Sequence, residues 1–270
     1  MMGVDRFLVR FGAIGVPFYQ ESPPASDLRH VIACNWIRVV RLEGAPEVSP
    51  IIPDGCADIM VYDDSPPRVA GPDATTRWTA LRDGTVITGI RIRPGAVRSI
   101  FGCSAGLILN GDAMLSDLAP GALALHQRLL VTGNLHHRHA LLENWVRTAI
   151  ATATVDHIVV AACRLLTADP GLEIGELTRK FGWNARMIHR QFRGACGYGP
   201  KHFQRIMRIQ RAIRAVHSGV AGSLAEVAQT AGYADQAHMT RDFRDITSFT
   251  PKRYFVTVRP EFGAWIDDSW

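Results

Sequence analysis

Glu176–Arg193 reads ELTRKFGWNARMIHRQFR and Glu226–Arg244 reads EVAQTAGYADQAHMTRDFR; GPKHF follows the first from Gly199, and TPKRY follows the second from Thr250. In both copies six positions carry the glutamate to a glycine and eight carry a phenylalanine to a proline, while the middle is one residue longer in the second. A period of about fifty residues marks one supersecondary unit used twice, and that decides the fold of the second half.

Each copy reads as two helices. In the first, Ile174, Leu177 and Phe181 form an apolar stripe, Gly182 ends the helix in left-handed geometry, and Asn184 caps the next. On that next helix Ile188 and Phe192 point inward. Arg186, His189, Arg190 and Arg193 recur at helical spacing on the opposite face. In the second copy Leu224, Val227 and Ala228 pack, Gly232 ends the helix and Asp235 caps. Met239, Phe243 and Ile246 then point inward. Gln236, Thr240, Arg241 and Arg244 lie outward, with Ala237 and His238 beside them. Helix, glycine turn and a second helix with a polar outer stripe is the helix-turn-helix plan, whose second helix enters the major groove. Arginine there can bond guanine N7 and O6, glutamine can pair with adenine, and a methyl suits thymine. The two copies are therefore expected to read different base steps. Between them Phe203–Val216 reads as one helix, with Arg205, Arg208, Arg211 and Arg214 expected as a solvated stripe with some phosphate contact.

Charge points the same way. Residues 1–150 carry 14 Lys+Arg and 14 Asp+Glu, whereas residues 172–259 carry 15 basic against 6 acidic residues. A basic block confined to one half suits a polyanion. The five cysteines are scattered without a CxxC pair, which suggests a reducing cytoplasm. The apolar run Phe11–Phe18 is too short for a membrane span, and no cleavage site follows it clearly, so a soluble, cytoplasmic protein without membrane contact is expected.

The first half has another texture. Val31–Val40, Ala57–Tyr62, Thr85–Pro94 and Leu107–Asn110 read as strands bounded by turns such as Pro53-Asp54-Gly55. Helices are expected over Gly121–Val131, His137–Ile150 and Val155–Leu166. The fold class is then α+β: a β-rich barrel or sandwich, a helical linker, and an all-α half with two helix-turn-helix units joined by a long helix. The divisions are 1–120 for a sensor domain, 121–152 for a helical linker or dimerisation segment that alternatively just packs on the barrel, 153–257 for the DNA-binding unit, and 258–270 for a tail.

From about Asp156 to Tyr254, and most specifically in AEVAQTAGYADQAHMTRDFRDITSFTPKRYF, the chain resembles the DNA-binding domain of the AraC/XylS family of bacterial transcription regulators. The resemblance implies a transcription factor, usually an activator, that binds double-stranded promoter DNA and works with RNA polymerase. It places the base readers at Arg186, His189 and Arg190 and at Gln236, Ala237, Thr240 and Arg241, with Arg193 on the same stripe. The family often has a larger residue where Arg186 and Ala237 stand, so its operator does not transfer. Ile52–Val61 and Ile90–Ala96 resemble, more faintly, a cupin-like or related sensor found ahead of such units, which suggests control by a small-molecule effector but carries across no ligand; the helical segment 121–150 is the hinge or the surface of a homodimer. A protein partner on the N-terminal domain is the rival controller.

An enzyme is not expected, and neither a cofactor nor a metal. No histidine stands between His30 and His126 to supply a metal-dependent cupin site, the cysteines do not cluster as in a zinc-bound methyl-transfer domain, and no G-x-S-x-G elbow occurs. Asp54-Gly55-Cys56 is either a pocket edge or redox thiol, or more simply a tight turn with a buried cysteine. Arg91 and Arg93 could hold an acidic effector, although exposed strand arginines are commoner.

Overall fold

The computed structural model describes residues 18–41, 47–151 and 156–257. The expected tail 258–270 and most of the run 11–18 lie outside them. In the N-terminal half β1 (Phe18–Ser22), β2 (Ile32–Val39), β3 (Glu47–Ile51), β4 (Ala57–Tyr62), β5 (Arg68–Ala70), β6 (Arg77–Leu81), β7 (Val86–Ile92) and β8 (Asp112–Met114) follow in chain order. Six form one antiparallel sheet in the order β1-β2-β7-β4-β5-β8, and β3 pairs with β6 as a separate ribbon. The expected β-rich half with a helical half behind it is what the chain builds.

Both faces of the sheet are covered, and strand alternation sorts the side chains between them. Ile59 and Val61 of β4 and Ile90 and Ile92 of β7 enter one core. The helix α1 (Val97–Phe101) lies between β7 and β8, and α2 (Leu115–Leu118), α3 (Ala122–Leu130) and α4 (Leu135–Ala151) follow β8. The core takes Val97 and Ile100 from α1, Leu125 and Leu129 from α3, and Leu142 and Val146 from α4. Thus α4 lies against the sheet, and its Glu143 accepts from Asn35 Nδ2 at 2.8 Å. Leu123 and Leu130 of α3 stay on the surface. The opposite face carries Trp36, Met60 and Ile87, together with Asp58 and Arg91. Trp36 stands opposite Gly89 in the register, and a β-carbon at Gly89 would fall 2.6 Å from the indole. Glycine makes room for the ring.

Leu107–Asn110, expected as a strand, is not one. Ser104 Oγ accepts from Gly106 N to cap a 3-10 turn over Ala105–Leu107, Leu107 is exposed, and Asn110 turns at φ 56. Its apolar letters serve a turn rather than a ladder, and the strand falls on the more polar Asp112–Met114. Arg91 and Arg93 are also not surface residues: they are 7% and 3% exposed.

The C-terminal half contains α5 (His157–Ala168), α6 (Ile174–Phe181), α7 (Ala185–Cys196), α8 (Pro200–His217), α9 (Leu224–Thr230), α10 (Gln236–Thr247) and α11 (Pro251–Thr257). The Ile206, Ile209 and Ile213 face of α8 forms the spine of a core that Phe192, Phe243 and Tyr254 fill from either side. Two residues of the first half, Ile52 and Cys56, belong to that same core.

The join is specific. Gly55, at φ +83, sits so close to α8 that a β-carbon would lie 2.9 Å from the Phe203 ring. Gln210 Nε2 donates to the buried Pro53 carbonyl at 2.7 Å, His202 Nε2 lies 2.8 Å from Ala74 O, and Thr76 N donates to Ile246 O at 2.8 Å. Trp78 packs on Phe249, with ring centroids 5.9 Å apart. Gln210→Ala would strand the Pro53 carbonyl, and a loss of about 1–3 kcal/mol is expected in denaturant unfolding. No change in midpoint would mean that the loop relaxes toward water.

Candidate functional site

The two helix pairs are built as their sequences require. Gly182 closes α6 at φ 64, and Asn184 Oδ1 accepts from Met187 N at 2.9 Å to start α7. Ser223 and Glu226 form a reciprocal capping box on α9. Gly232 turns at φ 79, and Asp235 Oδ1 accepts from His238 N at 2.6 Å to start α10. Leu177, Ile188 and Phe192 are buried in the first pair, and Val227, Met239, Phe243 and Ile246 in the second.

The outer stripes share Arg190 with Arg241 and Arg193 with Arg244, and differ in the turn before them. Arg186, His189, Arg190 and Arg193 are exposed along α7, and Gln236, Ala237, Arg241 and Arg244 along α10. Thr240 is half-buried, with its hydroxyl donating to Gln236 O at 2.8 Å. The His189 ring lies back against the chain, close enough that a β-carbon at Gly199 would meet Nδ1 at 3.1 Å. The second helix of each pair thus offers charged or amide groups on a rigid, capped frame, which suits hydrogen bonding to base edges and phosphates.

The arginine stripe of α8 is not the solvated face expected of it. All four arginines are half-buried. Arg205 pairs with the buried Asp242 at 2.8 Å and with Asp245 at 2.6 Å, tying α8 to α10. Arg208 lies over the Tyr233 ring, 5.9 Å from its centroid. These arginines fix the pose of the second helix pair before any DNA is met. The acidic partners on α10 were the available signal, but they lie in a different helix, where spacing rules do not reach.

A second site lies in the first half. Between the sheet and the β3–β6 ribbon is a cavity of about 140 Å³, walled by Tyr19, Trp36, Met60 and Tyr62 and by the charged groups Asp54, Asp58, Asp73, Arg38, Arg77 and Arg91. Arg91 is its centre. Its Nη1 donates to Glu21 Oε1 at 3.1 Å, and its Nε lies 3.4 Å from Asp58 and 3.8 Å from Asp54. Trp36 Nε1 donates to Asp58 Oδ1 at 2.7 Å, Asp54 Oδ1 accepts from Cys56 N at 2.8 Å, and Arg77 holds Asp73 at 3.1 Å. Asp54-Gly55-Cys56 is therefore both a tight turn and the edge of a pocket. The Cys56 thiol is pushed well above its usual range by burial, with Asp54 adding to the shift, so it is held as a thiol and not as the reactive thiolate.

Burial pushes the Asp54 carboxyl up to about 6 against the opposing pull of Arg91, and burial raises Asp58 and Asp73 as well. For Asp54 the sign is fixed: the folded chain holds a proton that the unfolded chain has released, so its contribution is full below the usual carboxylate range and is lost as pH rises through about 6. Asp54→Asn is expected to flatten the fall in stability across that window, read by denaturant unfolding at several pH values. An unchanged slope would place the titration on another group.

A family model described as "Helix-turn-helix domain" matches residues 177–256, and one described as "Domain of unknown function (DUF6597)" matches residues 20–113. No curated protein matches the chain. Among solved structures, ToxT from Vibrio cholerae O395 is similar at 9% identity over 79% of this chain and 88% of that chain, with a TM-score of 0.42. A second ToxT structure from Vibrio cholerae, in a P21 form, is similar at 12% identity over 89% and 98%, with a TM-score of 0.42. At that distance the likeness carries no argument about function, and the weight rests on the two capped helix pairs and the matched domain. The chain carries an AraC-type helix-turn-helix domain behind a DUF6597 domain, and it is a DNA-binding transcriptional regulator.

Proposed function

We propose that the chain is a sequence-specific transcription activator whose two recognition helices read different base steps of one promoter operator, under control of the N-terminal domain. Arg186, His189, Arg190 and Arg193 form the first reading face, and Gln236, Ala237, Thr240 and Arg241 the second. The observation that carries this is the split within the repeat: the buried positions stay apolar in phase, Ile188 with Met239 and Phe192 with Phe243, while the first turns of the outer faces differ, Ala185, Arg186 and His189 against Gln236, Ala237 and Thr240, ahead of two shared arginine positions. The frame and two outward arginines are kept twice, and the leading turn of each recognition helix is not. Phosphate contacts supply most of the affinity, which falls with salt.

Control by the N-terminal domain is supported by the way it grips the reading unit. The 105–109 turn braces the end of α7, where a β-carbon at Gly197 would lie 2.9 Å from Leu109 Cδ1. The Pro53–Cys56 loop holds α8, and the same loop forms one wall of the pocket. Occupying the pocket therefore presses on the helix that spaces the two heads. Activation, with RNA polymerase as the partner at the promoter, follows the family tendency. Base substitution across a selected binding site tests the reading: two separate runs of sensitive positions are expected, whereas uniform losses at every position would count against it.

A further inference from the structure

The pocket beside Arg91 has an imbalance that its own residues do not settle. Glu21, Asp54 and Asp58 surround a single guanidinium. Of the remaining lining charges, Asp73 is paired with Arg77, and Arg38 lies on the wall of the same cavity. Glu21, Asp54, Asp58 and Asp73 against Arg38, Arg77 and Arg91 leave one negative charge in excess in a mostly buried space, where unmatched charge is costly. Glu21 is satisfied, because it accepts from both the Tyr19 hydroxyl and Arg91. Asp54 and Asp58 are not. Each has one oxygen engaged, by Cys56 N and Trp36 Nε1 respectively, and among the described residues the Oδ2 of each accepts no hydrogen bond. Arg91 is 7% exposed, and its Nε–H is a buried donor without a hydrogen-bond partner. The cavity therefore presents two open acceptors and one open donor, beside the Tyr19 and Trp36 rings, whose centroids are 6.4 Å apart.

We infer that this cavity binds a small organic ammonium that also carries an oxygen acceptor: its N–H groups donate to Asp54 and Asp58, its oxygen accepts from Arg91 Nε, and its apolar body lies against Trp36 and Tyr19. The positive charge offsets the excess carboxylate, and the aromatic faces favour a cation. A cavity of about 140 Å³ admits a molecule of about the size of benzene. Anions are disfavoured by the surplus negative charge. A neutral diol would leave that surplus in place. The elevated Asp54 carboxyl agrees, since a cation beside it would draw it back down. This names the ligand class for the proposed sensor, and so rests on the reading that the N-terminal domain receives a signal.

The test is calorimetric titration of the full chain with aminocyclopentanol, against the near-isosteric cyclopentanediol and hydroxycyclopentanecarboxylate. Saturable binding of the ammonium is expected, with the diol and the carboxylate weaker by about tenfold or more. Asp58→Asn and, independently, Asp54→Asn are each expected to weaken ammonium binding by a similar factor of about ten. Circular dichroism of each variant reports its fold. Equal binding of the diol, undiminished binding by both variants, or no saturable binding of the ammonium overturns the assignment. No DNA is needed, so a protein that binds its operator yet ignores the ammonium refutes the ligand class alone, and one that binds the ammonium but no DNA refutes the regulator reading alone.

Discussion

Arg91→Met is expected to cost the full chain about 3–5 kcal/mol, the range for breaking a buried ion pair from one side. The guanidinium is 7% exposed and faces Glu21, Asp58 and Asp54. Methionine fills part of the volume and leaves three carboxylates facing one another in low dielectric. The loss should shrink as pH falls below about 6, because Asp54, already raised to about 6, protonates more readily once its cation is gone. Asp58→Asn added to Arg91→Met should recover part of the loss, since it removes one of the stranded charges. Denaturant unfolding at two pH values reads all of this. A loss below about 1 kcal/mol at neutral pH would show that the carboxylates relax into water and that Arg91 does not anchor the sheet.

The second large effect is on DNA. Arg190→Ala and Arg241→Ala should each weaken operator binding by about 1–3 kcal/mol, roughly 5–150-fold, if each makes a bidentate base contact. They lie on separate helices and both are exposed, so the double variant should approach the product of the two. Mobility-shift titration at fixed salt measures it. A base reader loses affinity on its own operator and little on random DNA, whereas a phosphate contact weakens both and lowers the salt slope. An unchanged footprint in both variants would remove these residues from the reading surface.

What could be read in the letters, and what could not, divides along a physical line. The helix pairs were legible because their signals are local. Gly182 and Gly232 mark left-handed turns, Asn184 and Asp235 cap, and the inward residues recur at helical spacing. The strands over β2, β4 and β7 were legible for the same reason, through β-branched runs between turns. β5 spans only three residues, and in β6 the apolar Trp78 and Ala80 are the exposed positions, so neither shows the usual inward pattern. The pocket was hidden because its chemistry is long-range. Arg91 alternates with Ile90 and Ile92 as a solvent-facing residue would, and only the second cover, the β3–β6 ribbon, makes that face an interior. Likewise nothing near Arg205 announces Asp242, its partner from another helix. The reading positions on α7 and α10 follow from helical phase; which bases they prefer does not.

Gly55, pressed against Phe203, has a bearing on how such regulators can be recombined. Chains of this kind invite the view that a sensor and a DNA reader are interchangeable parts. Here the parts are not cleanly separable, because Ile52 and Cys56 complete the core of the reading half and the Pro53 carbonyl caps the amide of Gln210. A chimaera that joins this reader to a foreign sensor would need to bring a loop of the same shape, with glycine at its tip, or leave Phe203 and Met207 uncovered. The boundary that matters for exchange is then the outline of that loop's footprint on α8, and not a position along the chain.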